Sequence, residues 1–568
     1  MYITFEVDVL LTKCSTFFVQ SDNTAAGDSE SFLFKPLTKW HKTHMELPLT
    51  PLEFARRTRK LYADREAVVD GDLRLSYAEF FERCDRWSRA LQKLGVTQGD
   101  RVAYIAPNTH AMLESFYAVP QLGAILVPLN YRLIADDFEY LINHSGAKVV
   151  CAHSDYLDAV DSIRSQLPNV KSFVALEGTK AGWLDYETLL SEARVDDPLE
   201  LPPVEETDLL TINYTSGTTS RPKGVMITHR NAYINVVGTL IHHPMTMADR
   251  YLWTLPMFHA NGWTFVWTVT AAGGTHVCLR KVEPAAVFDQ IKKESVTMLC
   301  AAPTVLISIA NGPEELRRDA PRGLRIITAG APPAAATIER VEGELGWEIT
   351  QAYGLTETSP FITFCEMRPE YAPLSCAEKS VIKACQGVEL LTSGELRVVD
   401  EEGKDVPHDG QSLGEIVVRG NAVMKGYYND PEATARVIKD GWFYTGDAAV
   451  VHASGYAEIR DRLKDVIISG GENISSVEVE GVLLRHPAVQ EVAIVGLPNE
   501  RWGESPHAFV VLRAGARATE DELCEFARER LAHFKAPHGV TFVTELPKTA
   551  TGKVQKYVLR GGAAIAKQ

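Results

Sequence analysis

An alternation of short apolar segments with amphipathic ones constrains the fold more than any other feature of the sequence. From Pro51 onward, segments typical of buried strands, such as DRVAYIAPN and AKVVCA, alternate with segments of helical periodicity, such as ADDFEYLINHSG. Consecutive parallel strands need a crossover, which is usually a helix, so the alternation predicts parallel sheets with helices on both faces. One predicted helix, in LSYAEFFERCDRWSRALQKLG, begins at a capping box of Ser76 and Glu79 and ends before Gly95.

The pattern changes twice toward the C-terminus. From about Gly394, GELRVVDEEGKDVPHDGQSLGEIVVRG predicts strand–turn–strand structure in a small β-rich subdomain. After about Asp461, the segments read as helix, strand, strand and helix, with a second capping box at Thr519 and Glu522. We therefore expect an α/β fold, with a large N-terminal domain (45–461) of parallel or mixed sheets flanked by helices. A small, mobile α+β C-terminal domain (462–568) follows. Residues 1–44 are polar in part and are expected to be a poorly ordered extension or a misannotated start.

Bulk properties exclude several functional classes. The 568-residue chain carries a formal net charge of −16, which argues against a nucleic-acid partner. No apolar run is long enough to span a bilayer, and the acidic N-terminus is a poor signal peptide. The nine cysteines have neither zinc-type spacing nor the pattern of a disulfide scaffold. A cytoplasmic location is the resulting expectation.

The segment YTSGTTSRPKG, Tyr214 to Gly224, predicts a phosphate-binding loop. Small residues let backbone N–H groups crowd around an anion, hydroxyls add donors, and Lys223 adds positive charge. Gly217 and Lys223 have the spacing of a Walker-type loop, but Pro222 occupies the position of its second glycine. The loop is therefore of another kind, and a Ser/Thr-rich surface turn remains the alternative.

Four further motifs follow the loop in order. They are ITQAYGLTETSP (349–360), WFYTGD (442–447), RDRLKDVIISGGENIS (460–475) and PKTATGKVQK (547–556). With the loop, they resemble the adenylate-forming (AMP-binding) superfamily, which contains acyl-CoA synthetases, adenylation domains of peptide synthetases, and luciferases. The resemblance extends from Met45 onward. Ser220 in the loop and LPMFHANGWTF (255–265) make the chain most similar to short- and medium-chain acyl-CoA ligases, such as plant acyl-activating enzymes and methylthiopropionate–CoA ligases.

The resemblance implies a two-step reaction. A carboxylate attacks the α-phosphate of ATP to give an acyl-adenylate and pyrophosphate, and the thiol of coenzyme A then displaces AMP. Mg²⁺ is the implied cofactor, with ATP, coenzyme A and a carboxylic acid as substrates, and a homodimer is a further expectation. The first step develops charge at phosphorus, which requires cations and donors placed in advance.

The resemblance also assigns roles to individual residues. The ATP- and AMP-binding set is Thr215, Ser216, Gly217, Thr218, Thr219 and Lys223 at the β- and γ-phosphates; Gly330, Ala331, Pro332, Tyr353 and Gly354 around adenine; Asp447 at the ribose hydroxyls; and Arg462 at the ribose and phosphate. Thr356 binds the α-phosphate, Glu357 is the Mg²⁺ ligand, and Lys553 stabilises the reacting groups during adenylation. Lys464 is the hinge of the small domain, and Gly471 lines the tunnel for coenzyme A. For each residue a structural role is the alternative, such as a core tyrosine for Tyr353, a turn for Asp447, or a solvated surface lysine for Lys553.

The acyl pocket is assigned to His259, Trp263 and Val237. A histidine beside an aromatic residue is often simply packed in a core, which is the alternative for His259. These segments contain no cluster of Arg or Lys, and a second buried carboxylate would need a partner. The sequence therefore favours a monocarboxylic acid with an apolar tail.

Three other functions remain open at this point. The chain could load a carrier protein in trans, since it contains no carrier domain of its own. It could bind a nucleotide without catalysis, although Lys223, Glu357, Asp447, Arg462 and Lys553 are all present. A luciferase-like oxygenase uses the same scaffold. An assay that follows AMP and free thiol together separates these possibilities.

Overall fold

Two large mixed sheets carry most of the fold. The computed structural model describes residues 45–194, 196–215, 221–470, 472–499, 501–548 and 554–565. Residues Glu46–Gln568 form one compact unit. The predicted extension, residues 1–44, lies outside the described residues.

The strands, in chain order, are β1 (Glu66–Asp70), β2 (Leu73–Ser76), β3 (Arg101–Ile105), β4 (Ile125–Pro128), β5 (Val149–Ala152), β6 (Ser172–Ala175), β7 (Leu184–Asp185), β8 (Leu209–Thr215), β9 (Lys223–Thr228), β10 (Arg250–Leu252), β11 (Thr275–Val277), β12 (Met298–Ala301), β13 (Arg325–Thr328), β14 (Glu348–Gly354), β15 (Phe361–Phe364), β16 (Val388–Glu389), β17 (Glu395–Val399), β18 (Gly414–Arg419), β19 (Gly426–Tyr427), β20 (Ile438–Lys439), β21 (Trp442–Val451), β22 (Ala457–Arg462), β23 (Ile467–Ser469), β24 (Glu472–Ile474), β25 (Val489–Asn499), β26 (Gly503–Leu512) and β27 (Val540–Phe542).

The helices are α1 (Pro51–Leu61), α2 (Tyr77–Lys93), α3 (His110–Ala118), α4 (Ala135–Ser145), α5 (Leu157–Ser162), α6 (Tyr186–Glu192), α7 (His229–His242), the single turn α8 (Ala260–Trp263), α9 (Phe265–Ala272), α10 (Pro284–Lys293), α11 (Pro303–Ala310), α12 (Glu314–Arg318), α13 (Ala335–Arg340), α14 (Cys376–Lys383), α15 (Pro431–Val437), α16 (Ser476–Leu483), α17 (Glu520–Arg528) and α18 (Lys556–Ile565).

The nine-stranded sheet has the order β16-β15-β14-β13-β12-β10-β11-β1-β2, and the eight-stranded sheet has the order β19-β9-β8-β4-β3-β5-β6-β7. The central strands of both are parallel, as predicted; β13 and β14, for example, pair in parallel with Ile326 opposite Ile349. Antiparallel strands extend the edges, where β14 pairs with β15 and β8 pairs with β9. The sheets are therefore mixed.

Helices cover both faces of each large sheet, and one core is shared between the two. Its members include Tyr104 from the eight-stranded sheet, Tyr251 from the nine-stranded sheet, and Trp87, Phe116 and Trp267 from α2, α3 and α9, all essentially inaccessible to solvent. Separate cores pack α4 and α5 on the outer face of the eight-stranded sheet, and α10, α11 and α13 on the outer face of the nine-stranded sheet. The chain thus buries apolar residues on every sheet face, which explains the near-continuous apolar strands of the sequence.

Two smaller sheets follow. The first contains β17, β18, β20, β21 and β22 and is antiparallel. It confirms the β-rich subdomain expected after Gly394. The second contains β23 to β27 and packs against α16 and α17. Both predicted capping boxes are present, at the N-termini of α2 and α17. Within the described residues, no helix is both long and apolar enough to cross a membrane.

Candidate active site

The predicted adenine-binding residues lie at the carboxyl ends of neighbouring parallel strands. Gly330, Ala331 and Pro332 lie one residue beyond the end of β13, and Tyr353 and Gly354 end β14. Ligands of α/β sheets commonly bind at this edge. Gly330 has a φ of +89° and is exposed. A Cβ atom at Gly354 would lie 1.8 Å from the carbonyl oxygen of Pro360, so no side chain fits there.

Tyr353, Asp447 and Arg462 form a connected set. The Tyr353 hydroxyl donates a hydrogen bond of 2.7 Å to Oδ2 of Asp447, and Nε of Arg462 lies 2.8 Å from Oδ1. Asp447 and Arg462 are cross-strand partners in β21 and β22. Burial, followed by the Asp447 charge, raises the pKa of Tyr353, so its hydroxyl remains a donor. Burial opposes the charge of Arg462, but Asp447 raises the pKa of the guanidinium overall. The set holds the Asp447 carboxylate in a fixed position near the strand ends.

A second set brings the predicted phosphate and metal residues together through Tyr427. The Tyr427 hydroxyl donates a hydrogen bond of 2.9 Å to Glu357, and Nζ of Lys223 lies 4.8 Å from the centre of the Tyr427 ring. Lys223 begins β9 and pairs with Thr215 at the end of β8. Thr356, beside Glu357, is half-buried. The structure thus places an ammonium group and a carboxylate against the same phenol. Tyr427 was not predicted, because nothing local in KGYYND marks it.

Asn235 was also missed, and it fixes the segment between Leu355 and Phe361. Its side-chain amide donates to the carbonyl of Phe361 at 2.7 Å and accepts from the Phe361 N–H at 3.3 Å. The Thr358 hydroxyl donates to the carbonyl of Pro360 at 2.6 Å. The only sequence signal for this role was an amide side chain within a largely apolar segment, which the structure buries in α7.

Trp263 lies beside the nucleotide-site residues. The residue is 4% exposed, and its ring meets Phe361 edge to face, with ring centres 5.8 Å apart. A Cβ atom placed at Gly330 would be 3.8 Å from Cζ2 of Trp263. The backbone from Ala260 to Thr264 has φ values between 37° and 70°, which is a left-handed turn. Such a turn costs energy for L-residues and is found where the surrounding structure holds it in place.

The other predicted acyl-pocket residues are less closely tied to this group. His259 precedes the left-handed turn, and burial lowers the pKa of its imidazole to about 4, so the ring is neutral at ordinary pH. Val237 is half-buried on α7, whereas the preceding Val236 is fully buried in the shared core. The structure therefore associates Trp263 with Gly330 and leaves the roles of His259 and Val237 as predictions.

Lys464 lies in the connection between β22 of the third sheet and β23 of the fourth. Burial, together with the charges of Arg462 and Arg560, lowers its pKa. Contacts cross this connection: the backbone N–H of Ser476 donates a hydrogen bond of 2.9 Å to Asp461, and the Ser476 hydroxyl also donates to that carboxylate. These contacts hold α16 against β22.

Comparisons with known proteins agree with this arrangement. The family model "AMP-binding enzyme" matches residues 54–428, and "AMP-binding enzyme C-terminal domain" matches residues 478–553. The chain belongs to the AMP-binding enzyme family.

Two curated relatives of this AMP-binding enzyme are similar over nearly their whole length. A 4-hydroxybutyrate–CoA ligase of Metallosphaera sedula is 41% identical, over 93% of this chain and 96% of the relative. A 2-methylpropanoate–CoA ligase of Humulus lupulus is 42% identical, over 90% of this chain and 95% of the relative. The crystal structure of an anthranilate CoA ligase in complex with anthranoyl-AMP is 27% identical, with a TM-score of 0.84 over 92% of this chain and 99% of that one.

Family membership confirms the predicted fold class and enzyme class. The protein is an AMP-forming acid–thiol ligase, which activates a carboxylic acid with ATP and transfers the acyl group to coenzyme A.

Six predicted site residues of this AMP-binding enzyme lie outside the described residues: Ser216, Gly217, Thr218, Thr219, Gly471 and Lys553. Their roles stay predictions. Lys548, just before one of these gaps, lines a cavity of about 330 Å³ together with Thr304 and Ser308 near the end of β12. The C-terminal part of the chain therefore reaches the strand-end face of the nine-stranded sheet.

Proposed function

We propose that this AMP-binding enzyme acts on short- to medium-chain monocarboxylic acids in a cleft at the carboxyl ends of β13 and β14. The observation that carries the proposal is the hydrogen bond from Tyr353 to Asp447, with Arg462 on the other carboxylate oxygen. This carboxylate is positioned to accept hydrogen bonds from both ribose hydroxyls of ATP, since a carboxylate accepts at up to four lone-pair positions. Gly330, Ala331, Pro332, Tyr353 and Gly354 then enclose adenine.

The phosphates extend from the nucleoside toward Lys223 and Glu357. Thr215 to Thr219 and Lys223 bind the β- and γ-phosphates, and Thr356 binds the α-phosphate. The chemistry of this group suits Mg²⁺, which takes one or two carboxylates and substrate phosphate oxygens as ligands. Glu357 is the carboxylate that would hold the ion, oriented by Tyr427. When bound, Mg²⁺ neutralises phosphate charge.

Two bond exchanges complete the reaction. In the first, a carboxylate oxygen of the acid attacks the α-phosphorus, a C(O)–O–P linkage forms, and the bond to pyrophosphate breaks. Lys553 and Lys223 stabilise the charge that develops on the phosphate oxygens. In the second, the sulfur of coenzyme A attacks the acyl carbon, the thiol proton is released, and AMP leaves with the electron pair of the broken C–O bond.

The length of the acid is limited by Trp263. Its indole lies next to Gly330, and a rigid ring there removes room for methylene groups. The two relatives named above for 4-hydroxybutyrate and 2-methylpropanoate take four-carbon acids, which supports a small pocket. His259 and Val237 complete the pocket in this proposal.

The small domain, residues 462–568, pivots at Lys464 between the two steps. In one orientation it supplies Lys553 to the large domain (45–461), and in the other Gly471 lines the tunnel for the pantetheine arm. The change of sheet on either side of Lys464 supports this position for the hinge. Rotation of a lid or domain is a common way to serve two successive reactions.

A cytoplasmic location and a homodimer are further proposals. None of the eight cysteines in the described residues forms a disulfide, as expected in a reducing compartment. Fractionation of the source cells tests the location, and light scattering tests the dimer.

The function is tested with purified protein, ATP, Mg²⁺ and a series of acids from acetate to palmitate, including 4-hydroxybutyrate and 2-methylpropanoate. Pyrophosphate, AMP and free thiol are measured together. We expect equal yields of AMP and thioester, with the highest kcat/KM for acids of about four to eight carbons. A preference for palmitate contradicts the proposed chain length. AMP release without consumption of coenzyme A contradicts the proposal that coenzyme A is the acyl acceptor.

A further inference from the structure

Cys385, His452 and Glu458 form a cluster away from the candidate active site. Their possible ligand atoms lie within 4.8 Å of one another, and all three residues are half-buried. Nε2 of His452 lies 2.6 Å from Oε2 of Glu458. Among the described residues, no other group of three potential metal-ligating side chains converges as closely.

The backbone holds this cluster in place. Gln386, next to Cys385, donates its N–H to the carbonyl of Ala457 at 3.0 Å, and its side chain accepts from the N–H of Ile459 at 2.6 Å. Cys385 is therefore fixed against β22, the strand that carries Glu458. His452 follows β21, and its N–H donates to the carbonyl of Tyr456 at 2.9 Å across the tight turn to β22.

The donor set fits a borderline-soft divalent cation. Zinc binds thiolate, imidazole and carboxylate ligands at about 2.0–2.3 Å, which places neighbouring ligand atoms about 3–4 Å apart around a tetrahedral ion. The present spacing reaches this geometry with small side-chain movements. Magnesium prefers oxygen ligands and does not suit a thiol. Arg460 lies 3.1 Å from the Glu458 carboxylate and is the charge that a cation would have to displace.

We propose that Cys385, His452 and Glu458 bind one zinc ion, with water as the fourth ligand. Binding releases the Cys385 thiol proton to solvent and replaces the contact between His452 and Glu458 with two metal bonds. The ion joins the segment after α14 to the turn between β21 and β22, and it stabilises that hairpin. The opposite end of the same hairpin carries Asp447 and Arg462. The spacing of the cysteines gave no sign of this site, because Cys385 is far from His452 along the chain.

The experiment uses the full, untagged chain without added thiols. Zinc is titrated calorimetrically into the wild type, Cys385→Ser and His452→Gln, and Co²⁺ is titrated to detect a cobalt–thiolate absorption band. Cys376→Ser is the matched control, since Cys376 is an exposed cysteine at the start of the neighbouring α14. Thermal unfolding without metal establishes that each variant is folded.

We expect both site variants to bind one equivalent of zinc fewer than the wild type, and Cys385→Ser to lose the cobalt–thiolate band. Zinc should raise the Tm of the wild type and of Cys376→Ser but not of Cys385→Ser, because a ligand of the native state stabilises it. Equal stoichiometry in wild type and site variants, or loss of binding in Cys376→Ser alone, overturns the proposal. If Cys385→Ser does not fold, His452→Gln decides by the same stoichiometry. An excess of Mg²⁺ should not displace the zinc, and displacement contradicts a thiolate site.

Discussion

Tyr353 on β14 donates a hydrogen bond of 2.7 Å to Asp447 on β21, and this contact joins the nine-stranded sheet to the small antiparallel sheet. Asp447 is 4% exposed and is bound on its other oxygen by Arg462. The three residues come from three separate motifs. The candidate nucleotide site is therefore created where two sheets meet, and neither sheet alone contains it.

Tyr353→Phe keeps the ring and removes the hydrogen bond to Asp447. A hydrogen bond to a charged group contributes about 1.5–3 kcal/mol, so we expect KM for ATP to rise by about tenfold or more with a smaller change in kcat. Steady-state kinetics with varied ATP measures this. The control is Tyr117→Phe, which removes a hydrogen bond of 2.6 Å to the carbonyl of Val266 inside the core and should lower the Tm without changing KM. An unchanged KM in Tyr353→Phe would show that Asp447 does not need this partner.

Glu357→Gln removes the proposed Mg²⁺ ligand while preserving an acceptor for the Tyr427 hydroxyl. Because preorganised charge at the reacting phosphates is lost, we expect pyrophosphate release to slow by on the order of 100-fold and half-saturation to require more Mg²⁺. A Mg²⁺ titration of the rate measures both effects. Glu370→Gln, a substitution of an exposed glutamate, serves as the control. The same Mg²⁺ dependence in Glu357→Gln and wild type excludes Glu357 as the ligand.

Lys553→Ala should abolish formation of the acyl-adenylate and spare much of the thioester step, since Lys553 is assigned to the first step only. The second step is measured by supplying synthetic acyl-adenylate and coenzyme A. Lys548→Ala, at a lysine that pairs with Glu491 at 2.6 Å, controls for the loss of positive charge in this segment. Equal loss of both steps in Lys553→Ala contradicts the assignment.

Trp263→Gly should shift the preferred acid toward longer chains and lower kcat/KM for short acids. Glycine accepts the positive φ at this position, so the backbone of the turn is preserved. Each methylene newly accommodated contributes about 0.8 kcal/mol, or roughly fourfold in kcat/KM. The measurement is kcat/KM across the acid series for wild type, Trp263→Phe and Trp263→Gly, with a graded shift expected. An unchanged optimum places the indole in the core only.

Four histidines with lowered pKa values make the stability of the protein depend on pH. Burial lowers the pKa to about 3 for His229 and His276 and to about 4 for His243 and His259, from an ordinary value of 6.5. Between these folded values and 6.5 the unfolded chain binds more protons than the folded one, so the free energy of unfolding falls as pH falls through this window. Each histidine contributes at most about 1.4 kcal/mol per pH unit.

Urea unfolding at pH 7, 6 and 5 measures this slope. His229→Gln retains a polar group that can reach Thr50, whose hydroxyl is 2.8 Å from Nδ1 of His229, and it removes one titrating group. The variant should show a shallower slope than the wild type over the same range. An identical slope would show that burial does not keep His229 neutral in the folded state.

The sequence predicted the parts of this fold that local physics determines. Ser76 and Thr519 begin helices through capping boxes, because the cap is completed within four residues. The strand–helix alternation likewise predicted parallel central strands. The antiparallel edges, by contrast, depend on pairings between distant segments, which periodicity does not encode.

The same division applies to the candidate site. Tyr353, Asp447 and Arg462 were predicted from motifs, and the structure brings them into contact. Tyr427 was missed because its importance comes only from tertiary contact with Glu357. The left-handed backbone at Trp263 was missed because tryptophan has no preference for that conformation, and the surrounding core must impose it.

The contact of Ser476 with Asp461 bears on how easily the two proposed orientations interchange. Rotation about Lys464 would separate α16 from β22 and expose Asp461, which is 4% accessible in this arrangement. Water solvates an exposed carboxylate and a serine hydroxyl well, so each hydrogen bond lost to rotation is exchanged for hydration at a small net cost. An apolar contact at this place would oppose separation in proportion to its area. The contact between Ser476 and Asp461 is therefore polar and open to replacement by water, which suits the proposed movement of the small domain between the two steps.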